Sequence, residues 1–279
     1  PRPTACQVRS TNAVVGWYLQ RSHLPGYDNG FLPMFCDRER VGPFAVRRVD
    51  ALAGHPAALF KMLVATAMFQ AQRDVQVQRI LTEMPAADAC LLSSKKRLLV
   101  RAQETGCSQL SSNSALLSGC DLGKDSVTKK GFCSRHPRRA CHLKQDTEVL
   151  RRYGNFGKMP TSIALVLRET GAKDLRDLRR RVLLRTEGPR QAALELEAEL
   201  CRAWRVDKKL ANMFLSAISN PDLCGGTAPW SEGIDWTWFV VIDRNVDRFL
   251  EGVGYLGPWT YEARRRFLLA LARKIDLRG

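Results

Sequence analysis

The stretch Pro56-Ala-Ala-Leu-Phe-Lys-Met-Leu-Val-Ala-Thr-Ala-Met68 decides the fold class of this chain. Its apolar pairs Leu59-Phe60, Leu63-Val64 and Ala67-Met68 recur every three to four residues, which is the period of a helix that faces a core. Similar patterns return further along the chain, and residues 189–204 are rich in Ala, Leu and Glu, which are strong helix formers. We therefore predict a mainly α-helical fold.

Breaks in this helical pattern suggest how the chain is organised. Residues 1–55 carry many Gly and Pro residues and are predicted to form an N-terminal extension that packs on the core. Residues 56–118 and 143–279 are predicted to form the helical core in two lobes, with helices near 74–81, 94–117, 146–152, 161–169, 175–184, 189–204, 207–218 and 260–275. Residues 119–142 interrupt the core as an inserted basic module that contains Cys and His.

The charge of the chain points to a polyanionic partner. It has 44 Lys and Arg residues against 28 Asp and Glu, which gives a net charge of +16. The longest apolar run, 62–69, is far shorter than the roughly 20 residues of a membrane span, and residues 1–6 lack the apolar core of a secretory signal. We expect a cytoplasmic, nucleoid-associated monomer that binds double-stranded DNA and not a membrane. No glycine-rich phosphate loop predicts a nucleotide cofactor.

The inserted module contains a candidate metal site. Cys133 and His136 form a close pair, Cys141 follows, and Cys120 is a more distant fourth ligand. Four such ligands suit a structural zinc, which takes tetrahedral Cys and His coordination. A zinc-pinned basic loop would contact phosphates. The alternative is a flexible basic loop with reduced thiols.

Three segments, in this order, resemble the helix-hairpin-helix DNA glycosylase superfamily of the endonuclease III type. Residues 63–77 resemble its early core helix and Gln-rich turn, where Gln70 and Gln72 are candidates to fill the gap left by an extruded base. Residues 206–215 place Lys209 on the family's lyase lysine. Residues 241–250 place Asp243 on its catalytic aspartate. The resemblance implies a two-lobed helical fold that holds DNA between the lobes.

The chain departs from the family at the hairpin. The family's Leu-Pro-Gly-x-Gly corresponds here to Ala203-Trp204-Arg205-Val206-Asp207, which has no glycine, so we expect Arg205, Lys208 and Arg244 to contribute DNA contacts. The loop 220–238 lengthens the interval from lysine to aspartate. No cysteine follows Cys224, so the family's C-terminal iron–sulfur loop has no counterpart. Aromatic faces can stack on an extruded base, and the candidates are Trp230, Trp236 and Trp238.

The resemblance implies a DNA glycosylase that flips a damaged or modified base out of the duplex and cleaves its N-glycosidic bond. Asp243 would stabilise the oxocarbenium-like state, and Lys209 would add a lyase step through a Schiff base. No cofactor is required for this chemistry. The substrate would be a lesion in base excision repair, or a bulky modified base in phage DNA in a defence role.

Other interpretations stay open. Asp243 could simply cap a helix, Lys209 could be a solvated lysine, the glutamines an ordinary helix end, and the tryptophans part of the core. The whole protein could be a non-catalytic nucleic-acid-binding protein on the same fold. A third class is a zinc-organised RNA-binding or regulatory protein.

Overall fold

The computed structural model describes residues 2–20, 31–69, 74–120, 143, 157–224 and 226–275. These residues are mainly α-helical, and no β-strand occurs among them. The prediction of a mainly α fold is therefore confirmed. Three short 3-10 helices, at Gly42–Phe44, Ser108–Leu110 and Trp236–Trp238, lie between the α-helices of the described segments.

The α-helices are numbered here in chain order. The first half contains α1 (Ala5–Leu19), α2 (Phe31–Cys36), α3 (Arg38–Val41), α4 (Arg48–Leu52), α5 (Pro56–Met68), α6 (Asp74–Glu83), α7 (Ala86–Leu92), α8 (Lys95–Thr105) and α9 (Asn113–Gly119). The second half contains α10 (Lys158–Glu169), α11 (Leu175–Arg185), α12 (Pro189–Cys201), α13 (Lys208–Ser219), α14 (Pro221–Cys224), α15 (Arg244–Gly252) and α16 (Tyr261–Ala272).

Several helices begin where a short polar residue can accept a bond from the exposed N–H groups of the first turn. The side chain of Asp174 accepts from the N–H of Asp177 at the start of α11. The side chain of Asp207 accepts from the N–H of Leu210 at the start of α13, and Thr260 caps α16 in the same way. These caps fix the starting residues of the helices that carry the candidate site.

The main hydrophobic core is built around α5. Leu59, Leu63 and Val64 are almost completely buried, as the helical period predicts. Phe35 and Phe44, which come before α5, are also fully buried and belong to the same core. Residues 32–51 are thus built into the main core, and the boundary predicted at residue 55 does not separate two cores.

A second, smaller cluster lies apart from the main core. It is formed by Leu250 of α15, Tyr255, and Phe267 and Leu271 of α16, with Val8 of α1 packed against it. Hydrogen bonds tie the same elements together, since the Gln7 side chain donates to the carbonyl of Gly254 at 2.8 Å and the Lys274 amine donates to the carbonyl of Pro3 at 3.1 Å. The first helix therefore packs against the last two. A third group, Ala102, Leu110, Leu116, Leu143 and Leu165, surrounds α8 and α9.

Candidate functional site

The turn between α12 and α13 has the most unusual backbone in the described part of the chain. Arg205 has φ +60°, and it is the one residue other than glycine with a positive φ in that part. The turn is closed by a bond from the N–H of Val206 to the carbonyl of Ala203 at 3.0 Å. Such a conformation normally favours glycine because a Cβ atom crowds the backbone. The predicted helix 189–204 ends at Cys201, before this reversal.

A buried hydrogen-bond network holds this turn in place. The hydroxyl of Ser162 accepts from the N–H of Trp204 at 2.7 Å and donates to the side-chain oxygen of Asn113 at 2.5 Å. The side-chain amide of Asn113 in turn donates to the carbonyl of Arg202 at 2.9 Å. Helices α9 and α10 thus fix the backbone of the turn by polar contacts, and Arg205 itself lies on the surface with its guanidinium 4.8 Å from the Trp204 ring.

The two candidate lysines lie side by side at the start of α13 but in different environments. Lys208 forms an ion pair with Glu262 of α16. Lys209 is half-buried, and no described residue gives it a hydrogen bond or an ion pair. The amine of Lys209 is therefore unengaged within the described structure, whereas that of Lys208 is occupied.

Asp243 is the N-cap of α15. Its Oδ1 accepts from the N–H groups of Asn245 at 2.9 Å and Val246 at 3.0 Å, as the capping interpretation expects. The other carboxylate oxygen accepts no bond from any described residue, so capping uses only one of the two oxygens. Arg244, the next residue, is exposed and unpaired within the described segments. A half-buried carboxylate with a free oxygen thus lies beside an exposed cation.

The hydroxyl of Tyr261 connects the lysine helix to the aspartate segment. It donates to the carbonyl of Val240 at 2.7 Å and accepts from the N–H of Ile242 at 3.3 Å and from the side-chain amide of Asn212 at 3.2 Å. Asn212 lies one turn after Lys209 on the same face of α13, and Ile242 immediately precedes Asp243. The structure therefore brings the start of α13 and the start of α15 to one hydroxyl group.

The environment of Tyr261 keeps that hydroxyl protonated. Burial raises the pKa of Tyr261 above its ordinary value, and the bonds from Asn212 and Ile242 oppose this rise only in part. A protonated hydroxyl can donate to Val240 while it accepts from the two N–H groups. The connection is consequently intact at neutral pH.

A buried ion pair supports this group from below. Arg265 and Glu197, whose side chains are 0% and 5% exposed, approach to 2.6 Å. The Arg265 guanidinium also lies over the rings of Tyr261, at 4.9 Å, and of Trp238, at 4.4 Å. A charge pair so deeply buried costs desolvation that good geometry must offset, and removing one partner strands the other. The pair links α12 to α16.

The three candidate tryptophans do not share one pocket. Trp238 is 9% exposed, with the guanidinium of Arg190 4.3 Å from its ring in addition to that of Arg265. Trp236 is half-buried and packs against the main core. Trp230 is buried, with its ring edge-to-face with Phe214 at 6.2 Å. Stacking of a base on Trp238 stays a prediction that would require its ring to be uncovered.

Several predicted site residues lie outside the described residues. These are Gln70, Gln72, Cys133, His136 and Cys141. Cys120 is described, and its carbonyl accepts a bond from the buried Lys158 amine at 2.6 Å. Among the described residues no group of three or more Cys, His, Asp or Glu is arranged to hold a metal. The zinc prediction therefore stays a prediction.

The described thiols near the site are unreactive by environment. Burial raises the pKa of Cys201 to about 12 and that of Cys224 to about 11. Cys224 donates its S–H to the carbonyl of Ala217. The thiolate is the nucleophile and the metal ligand, so these two residues act as small buried side chains.

Comparison of the chain with protein-family models, with curated proteins and with solved structures finds no match. Within the described residues, no helix has both the length and the apolar character needed to cross a bilayer.

Sequence reasoning missed the residues that assemble the site. Tyr261, Asn212 and the pair Glu197–Arg265 were not predicted, although they position the two elements that carry Lys209 and Asp243. A Tyr and an Arg four residues apart at the start of a helix lie on one face, which is the only local signal. Their partners are distant in the sequence.

Proposed function

We propose that the protein is a DNA glycosylase whose active site lies between the start of α13 and the start of α15. The observation that carries this proposal is the Tyr261 hydroxyl, which ties Asn212 of the lysine helix to the segment that ends in Asp243. Lysine and aspartate, predicted from separate segments, thus belong to one site. Asp243 would use its free carboxylate oxygen to stabilise positive charge on the sugar.

The turn at Arg205 supports the same proposal. Its left-handed conformation occurs at the position that corresponds to the first glycine of the family's hairpin. A hairpin of this shape presents the start of the next helix to solvent, and helix N-termini favour phosphate. Arg205 and Arg244 are exposed, so both can contact a DNA backbone.

The arrangement of the hydrophobic clusters is consistent with two lobes. Helix α13 belongs to the main core, whereas the apolar residues of α15 pack in the cluster shared with α1 and α16. DNA would lie where the two clusters meet, and the extruded nucleotide would enter near Tyr261. Lys209 would attack the sugar carbon in a lyase step, because no described carboxylate holds its amine.

Asp243→Asn tests the catalytic role with little structural change. Asparagine caps a helix about as well as aspartate, so the variant should keep α15 and the fold. We expect abasic-site formation to fall at least a hundredfold while DNA binding remains. The assay incubates wild-type protein and the variant with duplexes that carry oxidised, deaminated, alkylated or phage-type hypermodified bases. Lys209→Gln should abolish borohydride trapping on whichever substrate responds.

The capping role of Asp243 favours one second candidate, a nucleic-acid-binding protein without catalysis. In that case the carboxylate serves α15 alone. Wild-type protein would then bind DNA and release no base, and Asp243→Asn would change neither property. Equal residual release of bases by wild type and variant would also contradict the assignment of Asp243.

A further inference from the structure

A second cationic feature lies away from the candidate active site, in a cleft of about 470 Å³. One wall is α11, which contributes Arg176, Arg179 and Arg180 from successive positions of one face. The opposite wall is the start of α5 with residues 53–56, and residues 229–230 complete the cleft. Three guanidinium groups therefore converge on one concave surface.

Two of these arginines carry charge that no carboxylate neutralises directly. Arg176 is exposed and has neither a hydrogen bond nor an ion pair with any described residue. Arg179 is half-buried, and its Nη2 donates to the backbone carbonyl of Glu232. The Nε of Arg179 is buried without a hydrogen-bond partner in the described structure. A buried N–H donor with no partner is costly, and an arriving acceptor would remove that cost.

The two carboxylates that line the cleft are already engaged. Asp177 accepts from Arg180 at 2.6 Å through one oxygen, and from Arg181 and the N–H of Lys173, both at 3.0 Å, through the other. These bonds hold the pKa of Asp177 well below its usual range. Asp174 caps α11. The acidic residues thus organise the arginines, and they leave the cleft with a net positive charge.

The start of α5 adds a second source of positive potential. The helix is 13 residues long, and its N-cap, His55, makes no side-chain capping bond. Pro56 occupies its first position and lines the cleft. An uncapped N-terminus carries about half a positive charge, so helix dipole and guanidinium groups act on the same space.

We propose that this cleft binds a phosphate group of the DNA backbone at a distance from the flipped base. This inference rests on the proposed function for the identity of the ligand. The N–H of Trp230, beside the cleft, donates to the carbonyl of Ile218 near the end of α13. Lys209 lies nine residues earlier in that helix, which is about 14 Å at 1.5 Å per residue. That distance is about four base pairs of duplex.

Guanidinium groups suit this ligand because they bind phosphate oxygens in bidentate fashion. The three arginines would neutralise one or two phosphates and release their counterions. Removal of each contact should therefore lower the slope of log affinity against log salt by about 0.9, and weaken binding about tenfold at 0.1 M salt.

The test compares duplex binding over a series of salt concentrations. The double variant Arg176→Gln/Arg179→Gln should show a slope reduced by one to two contacts, as about 0.9 each. The matched control, Arg9→Gln/Arg273→Gln, removes two exposed arginines that are unpaired in the described structure and should change affinity less than about twofold. Arg176→Glu alone should also weaken binding, and it removes no described contact that the fold uses.

The outcomes separate the cleft from the proposed function. Equal slopes for the double variant and the control would overturn the assignment to DNA. Calorimetric titration with inorganic pyrophosphate then distinguishes the sources of phosphate: binding that only the cleft variant loses identifies a free phosphate compound, and no binding shows that the cleft is not an anion site. A reduced slope in a protein that releases no base would support the cleft and overturn the glycosylase.

Discussion

Replacing Tyr261 by Phe should destabilise the protein and disconnect the candidate site. The substitution keeps the ring beneath Arg265 and removes only the hydroxyl, which makes three hydrogen bonds. A net contribution of about 1 kcal/mol for each bond gives a loss of about 3 kcal/mol. Asn212 keeps its bond to the carbonyl of Lys208 at 2.6 Å, so the penalty falls mainly on the backbone of Val240 and Ile242.

Tyr255→Phe is the matched control because Tyr255 is also buried and its hydroxyl makes one bond, to the carbonyl of Pro258 at 2.9 Å. Urea denaturation should show a loss of about 1 kcal/mol for this variant, hence about 2 kcal/mol less than for Tyr261→Phe. On a responsive DNA substrate, Tyr261→Phe should lower base release at least tenfold and Tyr255→Phe should leave it unchanged. Equal stability losses in the two variants would refute the reasoning, because the three bonds would then contribute no more than one.

Two further predictions concern the backbone of the turn and the acid limit of stability. At position 205, Arg205→Gly should be more stable than Arg205→Ala by about 1 kcal/mol in urea denaturation, since only the glycine adopts φ +60° without strain; equal stability would show that the turn does not hold this conformation. The pKa of Asp177 is depressed in the folded state, so its contribution to stability is fully present above the unfolded value of 3.8 and is lost as the pH falls toward the folded value. Asp177→Asn should flatten the decline in unfolding free energy measured below about pH 4, and an unchanged slope would contradict the role of Arg180 and Arg181.

Helix starts in this chain could be predicted because they depend on local chemistry. The sequence indicated a helix over 207–218, and the structure has Lys208–Ser219 with Asp207 as its cap. Similarly, the segment 260–275 contains Tyr261–Ala272, capped by Thr260. In both cases a polar residue that accepts from the first turn precedes an apolar pattern, so the signal lies within a few residues.

The end of α12 could not be predicted in the same way. The helix ends at Cys201, three residues before the expected Trp204, because the chain reverses at Arg205. Arginine is a good helix former and gives no sign of a left-handed conformation. Ser162 and Asn113 hold the turn from other helices, and tertiary contacts of this kind override local preference.

The assembly of the candidate site depends on contacts between distant positions. Tyr261 reaches partners 19, 21 and 49 residues away, and Arg265 reaches Glu197 across 68 residues. Lys209 and Asp243 could be proposed from motif resemblance, but a single sequence contains no information that links them through a tyrosine. The grouping of these side chains is therefore a result of the structure.

The position of α16 between two hydrophobic clusters has a mechanical consequence. Its Phe267 and Leu271 pack with α15, whereas its Tyr261 and Arg265 contact residues of the main core. Polar bonds are short-ranged and directional, so a small rotation of one cluster against the other would break them together. Helix α16 can thus act as a latch: while it holds, Asp243 and Lys209 keep a fixed separation, and when it opens, the two groups separate as parts of different rigid bodies.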